Sequence, residues 1–533
     1  MQSKIRVGTR KSELALTQTN LVKESLLSSG YQPEIHPIVT TGDKDLRPFQ
    51  SLLGDGFFTK EIEKSLLSNE VDLAVHSSKD LPSQLHKELP WVAYSEREDT
   101  TDILIVKKEF VLSKSPLKLK DGILLGTSSP RRTAQLKRKF PQSKIVSIRG
   151  NVQRRIERIT LGEVDATVLA KAGVNRLNLY NSIKASGLEI IDLDFVTAPC
   201  QGILAVQGNS ACKKALEALN NKELTDIALA EKSVLAMLGG GCHLAVGCKI
   251  SKSQAYQMDF FLSEQDSMVD YQLEGQNLDE LLRQLFAKLS HSNATHPRVI
   301  STQPMQHQLT TARKLAQAGF QPTPWIPREI LPVFSHADFE EVHKNFLSFD
   351  ALVFTSRFSV RIFMNEFIAM RSELLTTLSN IKIFAVGEGT RKELQNYGNF
   401  DVVLPESAHA GSLIKILDAK NPLFMGTSDS APIPLMKEHG KNYKFLRLYG
   451  SFANTKAFSQ LPSIKEGDKL VLSNPLCAKD FIELYKQNTS LFKHLKIYAF
   501  GPSTSRILKE ENIPHLTNPK SGSWDEMINL LKQ

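Results

Sequence analysis

The feature that most constrains this fold is an alternation of short apolar strands with amphipathic helices. Early in the chain the strand-like segments IRVGTR, YQPEIHPIVT and VDLAVHS alternate with the helix-like segments TRKSELALTQTNLVKESLLSSG and GDGFFTKEIEKSLLSNE. This pattern predicts α/β layers built on a largely parallel sheet. Ligands of such sheets collect beyond the carboxyl ends of the strands, so the pattern also indicates where a site lies.

Polar and cationic side chains follow three of the predicted strands. They are Thr9, Arg10 and Ser12, then Ser77, Ser78, Lys79 and Asp80, and finally Thr127, Ser128 and Ser129. Any one of them could be a helix cap, which is the more common role of an isolated Ser or Asp. Together they predict a cleft lined by cations and hydroxyls, with Asp80 as its one carboxylate. Such a carboxylate is expected to stay ionised, and either stabilises positive charge, moves a proton or simply pairs with Lys79.

Positive charge is concentrated between residues 126 and 160. The chain carries a formal net charge of +9, and this segment holds ten basic residues and one acid, Glu157. Arginine forks suit carboxylates or phosphates, and the GTSS and RGN turns offer backbone N–H groups at expected helix starts. The one aromatic residue of the segment is Phe140, whereas nucleic-acid surfaces usually interleave aromatic residues with basic ones. We therefore expect a pocket for a small polyanion and no nucleic-acid partner.

Length and composition set the context for that pocket. A chain of 533 residues with 41% hydrophobic and 23% charged residues predicts several globular domains. Five cysteines do not form a disulfide framework and fit a reducing compartment. No signal peptide or membrane-spanning apolar run is evident. We expect a cytoplasmic monomer with no membrane partner.

The segment GGGCHLAVGC places Cys242 directly after three glycines. Glycines allow a tight turn without obstructing side chains, which indicates a segment that presents one thiol. A zinc site formed by Cys242, His243 and Cys248 is an alternative, but the spacing lacks paired knuckles and a fourth ligand. We therefore expect no metal and assign Cys248 to packing.

Six segments in one order resemble the porphobilinogen deaminase family, also called hydroxymethylbilane synthase: GTRKSELAL, HSSKDLP, GTSSPRR, RGNVQRR, LAKAGVNRL and GGGC. The resemblance implies an enzyme that joins four porphobilinogen units with loss of ammonia and releases the linear tetrapyrrole by hydrolysis. It also implies three α/β domains, the first two resembling the lobes of a periplasmic binding protein. It further implies a dipyrromethane cofactor, covalently attached through Cys242.

The same resemblance implies roles for individual residues. Asp80 matches the catalytic carboxylate, which would hold the pyrrole N–H groups and stabilise the azafulvene-like cation formed when ammonia leaves. The residues expected to bind the cofactor, besides Cys242, are Lys79, Ser128, Ser129, Arg131, Arg132 and Arg155. Those expected to bind substrate carboxylates in this half are Arg10, Ser12, Lys60, Arg149 and Arg176.

Three positions depart from the family pattern. Asp55 stands where many relatives have lysine, which leaves Lys60 as the nearer candidate for that contact. Cys200 replaces a usual glycine and Ala245 a usual proline. None of these departures affects Cys242 or Asp80.

The second half contains an internal repeat after a polar segment that we interpret as a linker, residues 291–297. The segments FDALVFTSRFSVRIFMNEF and IKIFAVGEGTRKELQNYG resemble GDKLVLSNPLCAKDFIELY and LKIYAFGPSTSRILKEEN. Each copy is strand, Ser-bearing turn, helix, strand, Gly-x-x-Thr turn and helix. The repeat predicts two similar doubly wound α/β lobes with their strand-end turns facing a cleft. The paired residues are Ser356 with Ser473, Gly387 with Gly501, and Thr390 with Thr504.

The turns TQP, TSR, GEGT, LYGSF and GPST resemble uroporphyrinogen-III synthase, over about residues 298–533. That family closes the linear tetrapyrrole and inverts its last ring without a cofactor, largely by holding a flexible chain in a reactive conformation. Tyr449 would be the proton donor to the departing hydroxyl, or else a packing residue between lobes. Gln303 and Met425 replace arginines common in the family. The expected substrate contacts are Thr302, Ser356, Thr390, Ser473 and Thr504.

Together these expectations describe a bifunctional enzyme of tetrapyrrole synthesis acting on polycarboxylate pyrroles. Alternatives are an active deaminase with an inactive or regulatory second half, or a two-lobed anion-binding protein. The expected domains are 1–98 with 196–217, 99–195, 218–290, and a synthase over 298–533 with one lobe of 298–335 and 453–533 and the other of 336–448.

Overall fold

The computed structural model describes residues 4–40, 59–240, 244–264, 267–370, 378, 381–406, 410–427, 443–517 and 523–533. Asp55, Cys242 and His243 lie outside these ranges. The chain divides into two compact units, Met1–Leu235 with Gly240–Leu281, and Ala236–Gly239 with Leu282–Gln533. Each unit is described by itself.

The first unit alternates strands and helices through most of its length. Its elements are β1 (Lys4–Arg10), α1 (Glu13–Ser28), β2 (Gln32–Ile38), α2 (Lys60–Leu67), β3 (Leu73–Ser77), β4 (Trp91–Arg97), β5 (Asp102–Lys107), β6 (Val111–Lys114), β7 (Leu117–Leu119), β8 (Leu124–Gly126), α3 (Pro130–Lys139), β9 (Lys144–Val146), α4 (Val152–Thr160), β10 (Ala166–Ala170), α5 (Lys171–Arg176), α6 (Tyr180–Ala185), β11 (Leu188–Leu193), β12 (Ile203–Gly208), α7 (Lys213–Leu219), α8 (Lys222–Met237), β13 (Ala245–Lys252), β14 (Tyr256–Glu264), β15 (Ser267–Gly275) and α9 (Leu278–Ser290). The last helix contains the boundary between the units.

These strands form two five-stranded sheets, a three-stranded one and the antiparallel pair β6-β7. The five-stranded sheets have the orders β2-β1-β3-β12-β4 and β11-β5-β10-β8-β9. The expectation of parallel pairing is confirmed for β1 with β2 and β3, and β8 is likewise parallel to β9 and β10. The sheets are nevertheless mixed, because β12 runs antiparallel to β3 and β4, and β5 antiparallel to β10 and β11. The reason is connectivity. Strand β4 leads directly through residues 98–101 to β5 of the second sheet, and β12 returns to the first, so no crossover helix imposes a parallel neighbour.

Helix starts in this unit coincide with the polar turns that the sequence highlights. Ser12 caps α1 by accepting from the Ala15 N–H, and Ser129 caps α3, whose first residue is Pro130. Asn151 caps α4 by accepting from the Arg154 N–H. These caps satisfy backbone donors that a helix leaves unpaired, and they fix each turn at the end of a buried strand.

The second unit contains two parallel sheets joined by a short antiparallel pair. Its elements are β16 (Arg298–Ser301), α10 (Met305–Gln317), β17 (Gln321–Pro324), β18 (Arg328–Pro332), α11 (His336–Lys344), β19 (Ala351–Phe354), α12 (Arg357–Met370), β20 (Lys382–Ala385), α13 (Glu388–Gln395), β21 (Val402–Val403), α14 (Ala410–Ile416), β22 (Pro422–Gly426), β23 (Lys444–Arg447), β24 (Tyr449–Ala453), β25 (Lys469–Leu472), α15 (Pro475–Gln487), β26 (Lys496–Ala499), α16 (Pro502–Glu510), β27 (Leu516–Thr517) and α17 (Trp524–Leu531).

The two sheets have the orders β17-β16-β25-β26-β27 and β21-β20-β19-β22-β23, and their described pairings are parallel. Strands β18 and β24 pair antiparallel and form a separate two-stranded sheet. The repeat predicted from sequence is confirmed as β19-α12-β20-α13 and β25-α15-β26-α16. Central strands such as β19 and β25 are almost completely buried, as doubly covered parallel strands are.

Candidate active sites

A cavity of about 720 Å³ lies in the first unit, lined by strand-end turns of both five-stranded sheets. It is in the size range of pockets that enclose small organic ligands. Eleven residues predicted from sequence line it: Arg10, Ser12, Lys79, Asp80, Ser128, Ser129, Arg131, Arg132, Arg149, Arg155 and Arg176. Lys60 begins α2 and is not among the lining residues, although its neighbour Thr59 is. The strand-end rule thus brings together side chains that are far apart in sequence.

Asp80 ends a 3-10 turn, Ser78–Asp80, that follows β3 directly. Its half-buried carboxylate forms no hydrogen bond or ion pair with any residue within the described ranges. Lys79 reaches the solvent-filled cavity, yet the cleft walls desolvate its ammonium and lower its pKa, a shift that Asp80 opposes and Arg132 reinforces. A partnerless carboxylate in a cationic cleft is available to hydrogen-bond donors on a ligand.

Arg131 and Arg132 are held by a carboxylate that sequence reasoning missed. Asp102, at the start of β5, accepts from Arg131 Nη1 and from Arg132 Nη2, both at 2.7 Å, and from Gln201 Nε2 at 3.0 Å. All three charged side chains are buried. Burial alone would raise the pKa of Asp102, but the two guanidiniums hold it well below its usual range. The pair is therefore fixed in position, with one negative charge for two positive ones.

The remaining arginines enter the cavity from three separate turns. Arg155 donates from Nε to the Gly150 carbonyl at 2.8 Å, and Arg176 donates from Nη2 to the Gly202 carbonyl at 2.9 Å. Burial, together with the nearby cations Arg132 and Arg149, lowers the pKa of Arg155 to about 10. Burial is the larger cause of this shift, and the contribution of Arg132 and Arg149 is a repulsion between like charges that an anionic ligand would relieve.

The serine hydroxyls predicted to assist ligand binding already have partners inside the protein. Ser12 and Ser129 accept from backbone N–H groups one turn ahead, each at 3.4 Å, as helix caps. Ser128 donates to the Ile148 carbonyl at 2.6 Å. These serines therefore organise the turns on which the cationic side chains stand.

The turn leading to Cys242 has the geometry that its glycines suggest. Helix α8 closes with the Gly239 N–H donating to the Ala236 carbonyl at 3.1 Å and the Gly240 N–H to the Leu235 carbonyl at 2.8 Å. This is a Schellman closure, and both glycines have positive φ, +92° and +74°. Cys242 itself lies outside the described residues.

Cys200, which the resemblance marks as a replacement for glycine, stands at a backbone position that suits glycine. Its φ is +60°, in the left-handed region where glycine is favoured. The side chain is fully buried, and burial raises the pKa of its thiol to about 11. Cys248 is also fully buried with a raised pKa, in agreement with a packing role. Ala245 begins β13.

Two further charged residues missed by the sequence analysis lie on α8. Glu231 is fully buried and accepts from Arg97 Nη1 at 2.8 Å, the Cys200 N–H at 2.5 Å and the Ile250 N–H at 2.7 Å. Lys232, next to it, is 5% exposed. The signal available in the sequence was the pair of charges inside the otherwise apolar run IALAEKSVLAML.

In the second unit, Tyr449 lies at the start of β24 with its ring 5.7 Å from that of Phe358. Burial raises the pKa of Tyr449, while hydrogen bonds with Ser356 and Thr355 oppose the shift. The Ser356 hydroxyl also accepts from the Ser359 N–H at 3.1 Å. The structure thus brings together Tyr449 and Ser356, two of the predicted site residues.

Other predicted contacts of this unit are engaged internally. The Ser473 N–H donates to Thr302 Oγ1 at 2.8 Å, and Ser473 Oγ donates to the Thr302 carbonyl at 2.8 Å. Thr504 is buried and its hydroxyl donates to the Phe500 carbonyl at 3.2 Å. Thr390, also buried, stands in the first turn of α13.

Cationic residues near Tyr449 were not singled out from sequence. Arg357 begins α12. A Cβ built on Gly389 would lie 3.6 Å from Arg357 Nε, so the Arg357 side chain lies beside the turn that carries Thr390. Arg361 pairs with Glu393 at 2.7 Å. Met425, named above as a departure from the family pattern, is fully buried in β22.

A membrane-spanning helix and a metal-binding cluster are both absent from the residues that the structure describes. In this part of the chain no helix is both long and apolar enough to cross a membrane. The same residues contain no group of three or more His, Cys, Asp or Glu side chains arranged to hold a metal. The zinc hypothesis concerns Cys242 and His243, which lie outside this part.

Comparison with known proteins assigns both halves. Residues 5–217 match the family model "Porphobilinogen deaminase, dipyromethane cofactor binding domain", and residues 310–529 match "Uroporphyrinogen-III synthase HemD". The chain is 39% identical over 246 residues to a porphobilinogen deaminase from Nostoc sp., covering 46% of this chain and 76% of the relative. It is 42% identical over 254 residues to one from Syntrophomonas wolfei, covering 45% and 79%.

Among solved structures, a mutant uroporphyrinogen III synthase from Thermus thermophilus aligns with 44% of this chain and 97% of its own, at 17% identity and a TM-score of 0.32. The match of the deaminase half rests on closer relatives, and that of the other half on its family model. The chain therefore belongs to the porphobilinogen deaminase family and carries in its second half a uroporphyrinogen-III synthase domain.

Proposed function

We propose that this chain polymerises porphobilinogen in the arginine-lined cleft, with Asp80 as the catalytic group, and cyclises the product in its second unit. Membership of the two families supports both enzyme activities, and does not favour either an inactive second half or a solute-binding protein. The observation that carries the residue assignment is the free carboxylate of Asp80 among fixed cations.

The residues of the cleft fit a dipyrromethane cofactor. The matched family domain is described as binding this group, and each of its pyrrole rings bears an acetate and a propionate. Burying such carboxylates requires paired cations, and the cleft wall supplies them. The buried Nε of Arg132 has no hydrogen-bond partner among the described residues, so it is available to an anionic ligand. When bound, this cofactor supplies the pyrrole end to which substrate units are added.

We assign attachment of the cofactor to the Cys242 thiol. Support comes from the glycine turn, where Gly239 and Gly240 take positive φ angles without side chains shortly before Cys242 in the chain. The other cysteines described here include Cys200 and Cys248, whose thiols are buried and whose pKa values are raised by burial. A thiolate is the reactive form, so these two are poor nucleophiles.

Asp80 would act by electrostatic stabilisation and hydrogen bonding. Loss of ammonia from porphobilinogen leaves positive charge on the pyrrole, and a carboxylate held beside it lowers the energy of that species. The pyrrole N–H groups would donate to the same carboxylate. Lys79, Arg131, Arg132 and Arg155 would bind cofactor carboxylates, while Arg10, Arg149 and Arg176 would bind those of the substrate.

In the synthase unit, catalysis would depend on holding the linear tetrapyrrole in a reactive conformation. Tyr449 would donate a proton to the departing hydroxyl, with its phenol oriented by Ser356. Ser356 and Thr390 would contact substrate, whereas Thr302, Ser473 and Thr504 would contribute by ordering the strand-end turns through the hydrogen bonds described above.

We further propose the domain division 1–98 with 196–217, 99–195 and 218–290 for the deaminase. The two five-stranded sheets and the three-stranded sheet support it. For the synthase we keep 298–335 with 453–533 as one lobe and 336–448 as the other. A cytoplasmic monomer remains our proposal for the state of the chain.

Intact-protein mass spectrometry tests the deaminase assignment. The purified chain should carry an adduct of dipyrromethane mass, and Cys242→Ser should abolish both adduct and deaminase activity. Cys212→Ser is the matched control, since Cys212 is a partly exposed cysteine elsewhere in the unit, and it should keep both. An active wild-type chain without the adduct would contradict the cofactor assignment.

A further inference from the structure

Lys232 is a buried lysine whose ammonium supports the turn that carries Asp80. It lies on α8, and its Nζ donates to the Ser78 carbonyl at 3.0 Å and to the Leu81 carbonyl at 2.9 Å. These two carbonyls immediately flank Lys79 and Asp80 in the chain. Hydrogen bonds from a charged donor are stronger than neutral ones, so the two ends of this short turn are fixed to the helix.

The turn needs such support because its functional side chains have none of their own. Asp80 and Lys79 form no hydrogen bond or ion pair with the residues that the structure describes. The backbone closure across the turn is a single bond of 3.2 Å from the Leu81 N–H to the Ser78 carbonyl. The position of the Asp80 carboxylate is therefore set by the backbone that Lys232 holds.

The same helix leads directly into the glycine turn before Cys242. Helix α8 ends at Met237, and a Cβ placed on Gly240 would lie 3.6 Å from Ser83 Oγ. Ser83 follows Asp80 by three residues, so the glycine turn lies against the segment that carries the catalytic group. One helix thus contacts both the Asp80 turn and the chain that leads to the cofactor cysteine.

We propose that Lys232 is a positioning residue, which fixes the Lys79–Asp80 turn to helix α8 and so sets the position of the catalytic carboxylate in the cleft. This inference rests on the proposed roles of Asp80 and Cys242. It assigns to a buried lysine an effect on turnover, acting through backbone geometry, without contact with the substrate.

The test compares Lys232→Met with Lys232→Arg, and uses Lys252→Met as control because Lys252 is exposed and pairs with Glu223 on the surface. A displaced catalytic group slows chemistry more than binding, so K232M should lower kcat by about 10- to 100-fold with KM changed by less than about twofold. The adduct mass should remain. K232R, which keeps charged donors, should recover most of kcat, and K252M should match wild type.

The following results would contradict the inference or the proposed function. A kcat for K232M within about twofold of wild type overturns the inference, and so does a loss of kcat that K232R fails to restore. If K232M does not fold, K232Q replaces it in the test, because its uncharged amide is expected to hold the turn less firmly. A near-normal kcat for K232Q would then overturn the inference. Absence of the adduct or of activity in the wild-type chain would instead contradict the proposed function.

Discussion

At the scale of single residues, the informative property of Asp80 is that its carboxylate has no hydrogen-bond or ion-pair partner among the described residues. Surface carboxylates usually find a cation, and the cleft around Asp80 offers many, yet Arg131 and Arg132 are paired with Asp102 and Arg176 with Glu96. The sequence alone left open whether Asp80 simply pairs with Lys79. The geometry favours a group kept free for a ligand, since neither side chain has a partner among the described residues.

Replacing Asp80 by Asn should therefore leave the fold and the cofactor adduct intact but remove the charge that stabilises the cationic species. We expect deaminase kcat to fall by about 10²- to 10³-fold, the range for loss of one preorganised electrostatic group. Steady-state kinetics with porphobilinogen measure it. The exposed Asp121→Asn variant should behave as wild type, and a D80N variant with near-normal kcat would remove Asp80 from the mechanism.

His76, on β3 beside the cleft, provides a pH prediction. Burial, reinforced by Lys232 and Arg10, lowers its pKa from 6.5 to about 3, against a hydrogen bond with Gln207 that raises it. The folded state therefore binds fewer protons than the unfolded chain between these values. The stability from the neutral imidazole is complete above about pH 6.5 and is lost progressively as pH falls toward 3.

At pH 5 this single group should cost about 2 kcal/mol of the unfolding free energy relative to pH 7.5. Urea unfolding of wild type and His76→Gln at the two pH values measures the difference, which should be smaller by that amount in the variant. The exposed His494→Gln variant should retain the wild-type difference. An unchanged pH dependence in H76Q would show that His76 is not the group responsible.

At the scale of secondary-structure elements, the site is assembled from strand ends and the helix starts that follow them. This much could be predicted, because strands, capped helix starts and the carboxyl-end rule are local features of sequence. The partners of the arginines could not be predicted. In the segment TTDILIV, Asp102 has the appearance of an ordinary first residue of a strand. The two guanidiniums that it binds belong to Arg131 and Arg132 on helix α3, far along the chain.

Asp102→Asn tests how α3 is anchored. Removing the carboxylate leaves two buried guanidiniums without compensation, so we expect a loss of about 3–5 kcal/mol in the free energy of unfolding and reduced cofactor occupancy. Urea unfolding and intact mass measure these effects. Asp194→Asn, which removes the exposed partner of Lys139 near the end of the same helix, should cost less than about 1 kcal/mol. Equal effects of the two variants would contradict the anchoring role.

At the scale of the whole molecule, the sequence predicted the α/β class of both halves and the repeat of the second. It was wrong only on the direction of β5 and β12 in the first half, because β4 and β12 connect two sheets, and connections between distant segments have no local signature. The sequence identified the basic residues that line the cleft, but it did not identify the carboxylates that pair with them. Ion pairs form only when the fold brings Asp102, Glu96 and Glu231 to their partners.

The central claim is that this chain carries out two consecutive reactions, because it contains both family domains. The first would form the linear tetrapyrrole and the second would cyclise it. Porphobilinogen supplied as sole substrate to the purified chain tests it, with the uroporphyrinogen isomers separated by chromatography. We expect mainly the type III isomer, because the second unit should cyclise the linear tetrapyrrole with ring inversion faster than it closes spontaneously. Product that is type I alone would contradict the account.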